Sequence, residues 1–260
     1  MANNHGAFYM FDQYTTQPPN RLTGGVVRCS PAKSKMSQLY KHDEVQQHLQ
    51  GRKIYSLDLL SGHTCQFAKL CHSMAIDDNG QRKIRDGKHT EFRCYSASSE
   101  VRLTGVYNLR KHNTDSLRSL TTEKQLTNAI ESSLPYDSGI IRIHSAGDFF
   151  SIKYFRAWLN TIANHPEVIF YFYTKCNPYL VKYWYSIDKL PNVSYTASRG
   201  GTRDDLIQLH GLREAVVVAD ESEAESMGLE CDYDDSHACF PWLQEQSFAL
   251  VIHGTQPAIK

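Results

Sequence analysis

The chain has 260 residues, enough for one α/β domain with a full core, and its 28 Lys and Arg balance 28 Asp and Glu. That balance excludes a broad cationic field for non-specific nucleic-acid binding, although a local basic patch remains open. Seven cysteines are too few for a secreted disulfide scaffold, the polar N-terminus is no signal peptide, and no apolar run approaches a bilayer span; a reducing cytoplasm and no membrane partner are expected.

In chain order, residues 1–52 carry Pro18-Pro19, Gly24-Gly25 and Pro31 without sustained periodicity. They read as an irregular lead-in packed on the body, with a short helix over 37–50. From residue 53 to the end, one domain alternates β-rich runs with helical ones. Strands are expected over 54–59, 140–144, 168–174, 193–196, 215–218 and 248–253. Helices are expected over 96–111, 122–133, 152–164, 179–189, 203–209 and 221–227, with Ser151 and Asp220 as caps. Six such units fit an open doubly wound sheet or a partial barrel. Ligands bind at the C-terminal ends of parallel strands in both.

Those ends carry the chemistry. After the first strand come Cys65 and Cys71, spaced Cys-x5-Cys, and after a charged stretch of twenty-two residues comes Cys94. Three thiolates among polar neighbours suit an iron–sulfur cluster with one open position. Zinc is the alternative metal, with His63, His72 or His89 completing a Cys3His set, and plain buried thiols are the third reading. After the second strand, Arg142 and His144 alternate toward one face, Gly147 lets a ligand approach the backbone, and Asp148 can accept hydrogen bonds or simply cap a helix. Lys175 ends the third strand on the face of Tyr171 and Tyr173, where it clamps an anion or snorkels to solvent. Ser198 lies in SYTASRGG, residues 194–201, a Gly-rich turn that can offer free amides to an anion.

The segment from Cys231 to Cys239 gathers acids, His237 and two thiols. It reads as a second metal site, as the source of a fourth ligand for the first, or as an acidic loop in which Asp234 or Asp235 orients His237. His253 and Gln256 close the last strand and can face the same mouth. Arg102, Arg110, Lys111 and Arg118 could form a phosphate-facing stripe on a helix, or simply a solvated surface.

Taken together, HTCQFAKLC, FRCYSAS, RIHSAGDFFSIKYFRAWL, FYFYTK, DDSHA and SFALVIHGTQP resemble the bacteriophage family named after gene product eighty-eight, over about residues 53–257. That resemblance implies phage origin, hence the cytoplasm of an infected host, and a cysteine-bound site. A more distant likeness is to radical S-adenosylmethionine enzymes, whose partial barrels hold a cluster after the first strand. It implies that Cys94-Tyr95 ends a cluster loop and that Gly147-Asp148 takes the place of the motif that holds the methionine amino group. The Cys-x3-Cys-x2-Cys spacing of those enzymes is absent here.

The expected protein is therefore a partial (βα)6 barrel of mostly parallel strands. A 4Fe-4S cluster sits on Cys65, Cys71 and Cys94, and its open iron faces Arg142, His144, Gly147, Asp148, Lys175, Ser198 and His253. S-adenosylmethionine or another ligand binds there, and the reaction is redox or radical chemistry on an unassigned substrate. The alternatives are a non-enzymatic phage protein that binds a host factor or nucleic acid, and a redox sensor.

Overall fold

The structure, a computed structural model, describes residues 26–241, 246–253 and 256. The Pro18-Pro19 and Gly24-Gly25 part of the lead-in lies outside the described residues. The strands are β1 (Ser30–Pro31), β2 (Lys53–Leu57), β3 (Ser73–Asp78), β4 (Gln81–Asp86), β5 (Ser138–Ile143), β6 (Ile169–Thr174), β7 (Val193–Ser198), β8 (Glu214–Val218), β9 (Glu230–Cys231) and β10 (Phe248–Val251). The helices are α1 (Asp43–Leu49), α2 (Tyr95–Arg102), α3 (Thr104–Arg118), α4 (Glu123–Glu131), α5 (Ile152–Asn164), α6 (Asn177–Ile187), α7 (Asp205–His210), α8 (Glu221–Ser226) and α9 (Ser236–Cys239), with a 3-10 helix over Ser34–Lys41.

Eight strands form one sheet in the order β1-β2-β5-β6-β7-β8-β10-β9. Only β1 runs antiparallel to its neighbour. The six strands from β2 to β10 therefore follow chain order across the sheet, without the reversal on which a doubly wound sheet depends. Right-handed crossovers then place the connecting helices α4 to α8 on one face. The packing agrees. Tyr55, Leu57, Ile141, Ile143, Phe170, Phe172 and Ala197 meet apolar residues of α4 to α7, while Val216, Val218 and Ala249 meet Ala224 of α8.

The opposite face, carrying Ile54, Ile140, Ile169, Tyr171, Ala215 and Phe248, is covered by the 3-10 helix, α1 and α9 through Met36, Leu39, Val45, Leu49 and Ala238. Strands covered on both sides must be apolar throughout, which accounts for the unbroken run of β6, IFYFYT. Fully burying Phe170 or Phe172 contributes about 1.5–3 kcal/mol each.

The helices begin where local chemistry satisfies their free amides. Ser151 accepts from the Tyr154 amide at the start of α5, Asp220 accepts from that of Glu223, and Thr122 and Gln125 form a reciprocal capping box on α4. The helix expected over 96–111 is two helices, broken at Leu103, whose extended backbone (φ −115°, ψ 99°) ends α2. The charged stretch between Cys71 and Cys94 contains a hairpin of β3 and β4, with Asp77 paired to Arg82 and Asp78 to Gln81. Asn79 and Gly80, at φ 56° and 83°, supply the left-handed pair that a tight hairpin turn requires.

Candidate functional site

The chain leaves β2 into a polar turn held from below by buried groups. The Leu60 amide donates to Thr114 Oγ1 and the Ser61 amide to Glu100 Oε1. Arg110 in turn donates to Glu100 Oε1 and to the Ser96 carbonyl, and stands 3.7 Å from Asp58. Asp58 accepts from the Ser145 amide beyond β5. Glu100, Arg110 and Asn113 are all inside the protein. One internal network thus fixes the turn before Cys65, the start of α2 after Cys94, and the exit of β5.

From this base the thiol segment crosses the C-terminal ends of the strands toward β7. The amides of Lys69 and Leu70 donate to the Gly200 carbonyl, and the Thr202 amide donates to that of Phe67, so residues 66–71 lie against the turn after β7. A side chain at Gly201 would crowd the Phe67 carbonyl at 3.2 Å. Cys94 caps α2. Next to it, the Tyr95 hydroxyl donates to the Ser145 carbonyl, and the Tyr95 ring packs on His253 at 4.7 Å. Gln256 accepts from the Arg93 amide. The exits of β2, β5, β7 and β10 therefore meet around the three thiols, with His253 against Tyr95 and Gln256 against Arg93.

Cys65, Cys71 and Cys94 are free and partly exposed. Burial pushes the Cys65 thiol well above its usual range, and the charges of Asp148, Cys94 and Cys71 add to that; a weak hydrogen bond from the Gly62 amide opposes it. Burial also raises Cys94, Cys71 adds, and the amides of Ser96 and Ala97 at the start of α2 work against both. The three sulfurs are thus within electrostatic reach of one another although Cys94 comes from a separate segment. Among the described residues, no group of three His, Cys, Asp or Glu side chains is arranged to hold a metal ion. His63 and His72 direct ring nitrogens at the carbonyls of Ala75 and Gly62 rather than at the sulfurs. Thiolates are soft ligands that serve an iron–sulfur cluster or zinc alike, and the three thiols are the donors this mouth offers to either.

Several expected site residues are placed differently. Arg142 and His144 do not share a face. Arg142 points under α9, where it binds Asp235 (2.5 Å), whereas His144 has φ 67°, turns beneath the helices, and meets the Tyr154 hydroxyl at 2.9 Å and the Phe149 ring. Burial, and secondarily Arg142, lower His144 to about 3, so its imidazole is neutral. Asp148 is buried and its oxygens are committed to Thr174 Oγ1 and the amides of Phe149 and Lys175, ties between the β5 and β6 exits that leave it little capacity for an ammonium. Gly147 serves the same junction: a Cβ there would sit 2.7 Å from both Leu59 Cβ and Thr64 Oγ1. The amides of Gly200 and Gly201 are not free for an anion, because Asp204 accepts from both.

Lys175 is not a snorkelling surface lysine. It is 7% exposed and donates to Ser198 Oγ at 2.6 Å, on the face of Tyr171 and Tyr173. The acidic loop supplies no fourth ligand. Cys239 is buried among Ala238, Phe240 and Phe248, and Cys231 packs with Leu229 and Val251. Asp235 accepts from Tyr171 and Tyr173 and binds Lys35 and Arg142, Asp234 binds His42, and His237 faces Glu230 and Asp232 instead. The composition of that loop marked it as polar, but nothing local showed that it folds inward. The basic stripe also dissolves: Arg110 is internal, Lys111 pairs with Asp115, and Arg118 donates to the His63 carbonyl.

Two surface grooves lie apart from the thiols, one along Gln208, Arg213 and Glu214 and one along Glu221, Glu225 and Tyr233. The second is also lined by Glu230 and the free Cys231. No helix among the described residues is long and apolar enough to cross a membrane.

A family model described as Gene product 88 matches residues 31–258. No curated protein and no solved structure matches the chain, and the likeness to radical S-adenosylmethionine enzymes finds no support in these comparisons.

Proposed function

The chain belongs to the Gene product 88 family of phage proteins, and on that premise we propose that it is an iron–sulfur protein in which Cys65, Cys71 and Cys94 hold a 4Fe-4S cluster with one iron left without a protein ligand. The observation that carries this reading is that the two segments bearing the three thiols are brought together at one mouth, the amides of Glu91 and Phe92 donating to the Leu70 carbonyl and Glu100 with Arg110 joining Ser61 to Ser96, with Cys231 and Cys239 elsewhere. A partial (βα)6 barrel is the architecture proposed with it. Its support is the chain-order succession of six parallel strands and the contact of Tyr95 with both Ser145 and His253, beyond β5 and β10.

A bound cluster supplies one-electron chemistry at an open iron. The chain's own residues prepare that position. The amides of Ser96, Ala97 and Gly62 favour thiolates at Cys94 and Cys65, while Glu100 and Arg110 fix the two backbones that carry them. The thiols must lose protons on binding, so binding strengthens as pH rises. S-adenosylmethionine is the first ligand to test at the open iron.

The experiment is iron, sulfide and zinc analysis of the anaerobically purified chain, with Cys94→Ala and Cys231→Ala beside it. The expected wild type is brown, with about four irons and four sulfides per chain by the cluster's definition. Cys94→Ala loses most of the iron and Cys231→Ala keeps it. A colourless protein containing zinc overturns the proposal.

A further inference from the structure

Lys175 is a buried cation without a carboxylate within 4.0 Å among the described residues. Two other buried cations are matched by carboxylates, Arg142 by Asp235 and Arg110 by Glu100 and Asp58, and Arg213 is surrounded by the carbonyls of Tyr195 and His237 and the Ser194 hydroxyl. Asp148, whose carboxylate accepts from the Lys175 amide, does not pair with the ammonium: its oxygens are taken by Thr174 and two backbone amides. An ammonium has three N–H donors. Here one goes to Ser198 Oγ, which leaves that hydroxyl free to donate its own proton. Burying a charge against one neutral acceptor is costly unless something else completes the shell.

A second observation comes from the neighbouring strand. Thr196 is fully buried and its Oγ1 has no hydrogen-bond partner. It lies two residues before Ser198 on β7, hence on the same face of the sheet, and in register it is beside Tyr173, two residues before Lys175. An ammonium and two hydroxyls on adjacent strands thus lie on one face of the sheet, and among the described residues no carboxylate accepts from any of the three.

We infer that Lys175, Ser198 and Thr196 form an oxyanion subsite that takes the carboxylate or phosphate group of a small ligand. The oxyanion accepts from Lys175 Nζ and from the hydroxyls of Ser198 and Thr196. The subsite shares the mouth with the thiols but stands on these three residues alone, whether or not a cluster is bound.

The test is calorimetric titration of the full-length, anaerobically purified chain with inorganic phosphate and, separately, with acetate, at constant ionic strength. Iron is assayed on the same samples, so a missing cluster and a missing anion site are read apart. The expected result is saturable one-site binding of at least one anion. Lys175→Met weakens it roughly tenfold or more, the scale of a lost hydrogen bond to a charged group. Thr196→Val, which keeps the side chain's shape, also weakens it, whereas Lys111→Met on the surface leaves it unchanged. Phosphate binding alone identifies a phosphate-bearing ligand, and acetate binding alone a carboxylate-bearing one. If Lys175→Met does not fold, Thr196→Val decides. No saturable binding of either anion, or binding untouched by Thr196→Val and by any folded Lys175→Met protein, overturns the inference.

Discussion

The Arg110 guanidinium lies 3.0 Å from the buried carboxylate of Glu100, and through this pair the turn before Cys65 and the helix start after Cys94 are tied to one point. Glu100→Ala strands Arg110 in the interior, a change expected to cost about 3–5 kcal/mol. Urea unfolding measures it, and iron content should fall in parallel. Glu100→Gln keeps an acceptor for the Ser61 amide and is expected to be milder in both. Equal loss in the two variants would mean that charge, not the hydrogen-bond geometry, does the positioning.

His144 makes stability depend on acid. Its imidazole ionises near 6.5 when unfolded and only at about 3 in the fold, where burial lowers it. The unfolded state therefore binds a proton first, so this contribution is fully present above about pH 6.5 and is lost as pH falls toward 3. The slope is at most about 1.4 kcal/mol per pH unit. His144→Asn removes the titration and tolerates the left-handed backbone. Its stability between pH 6 and 4, followed by denaturant unfolding, should fall less steeply than wild type on the order of one proton; an unchanged slope would assign the acid sensitivity elsewhere.

Asp235 holds two cations and two tyrosines beneath α9. Arg142 and Lys35 together keep its carboxyl below the ordinary range, against burial. Asp235→Ala leaves Arg142 unpaired and should cost about 3–5 kcal/mol. Lys35→Met removes only a partly exposed partner and should cost no more than about 1 kcal/mol. Thermal or urea melts distinguish them.

Gly147→Ala tests how the β5 exit meets the thiol turn. The residue has φ 84°, and an added Cβ would press on Leu59 and Thr64 at 2.7 Å. Overpacking of this kind costs about 1–3 kcal/mol, to which the left-handed backbone adds. Thr64 immediately precedes Cys65, so iron retention is expected to drop even at temperatures where the variant stays folded.

Much of this molecule was legible in the sequence because its central strands are covered on both faces. The runs at 140–144 and 168–174 are apolar for that reason, and the observed β5 and β6 differ from them by one or two residues. The hairpin of β3 and β4 escaped because β4 alternates exposed and half-exposed residues, QRKIRD, with no apolar face to reveal it. Asn79-Gly80 was the signal that could have found it. The turning of His144 was hidden for a different reason: alternation holds only while the strand continues, and β5 ends at Ile143. The inward path of the acidic loop depends on β10 inserting between β8 and β9, a long-range choice that no local pattern encodes.

The β3–β4 hairpin has a practical consequence. Its two ends, Ser73 and Asp86, are paired neighbours. Twenty-two residues of sequence between Cys71 and Cys94 thus begin and end at nearly one spot, and while Ala75 and Arg82 bind the ribbon to His63 and Glu100, its tip can lengthen without moving the sulfurs. The tip at Asn79-Gly80 is exposed and is the natural place to graft a fluorophore or an affinity handle that reports on the mouth while leaving its chemistry alone.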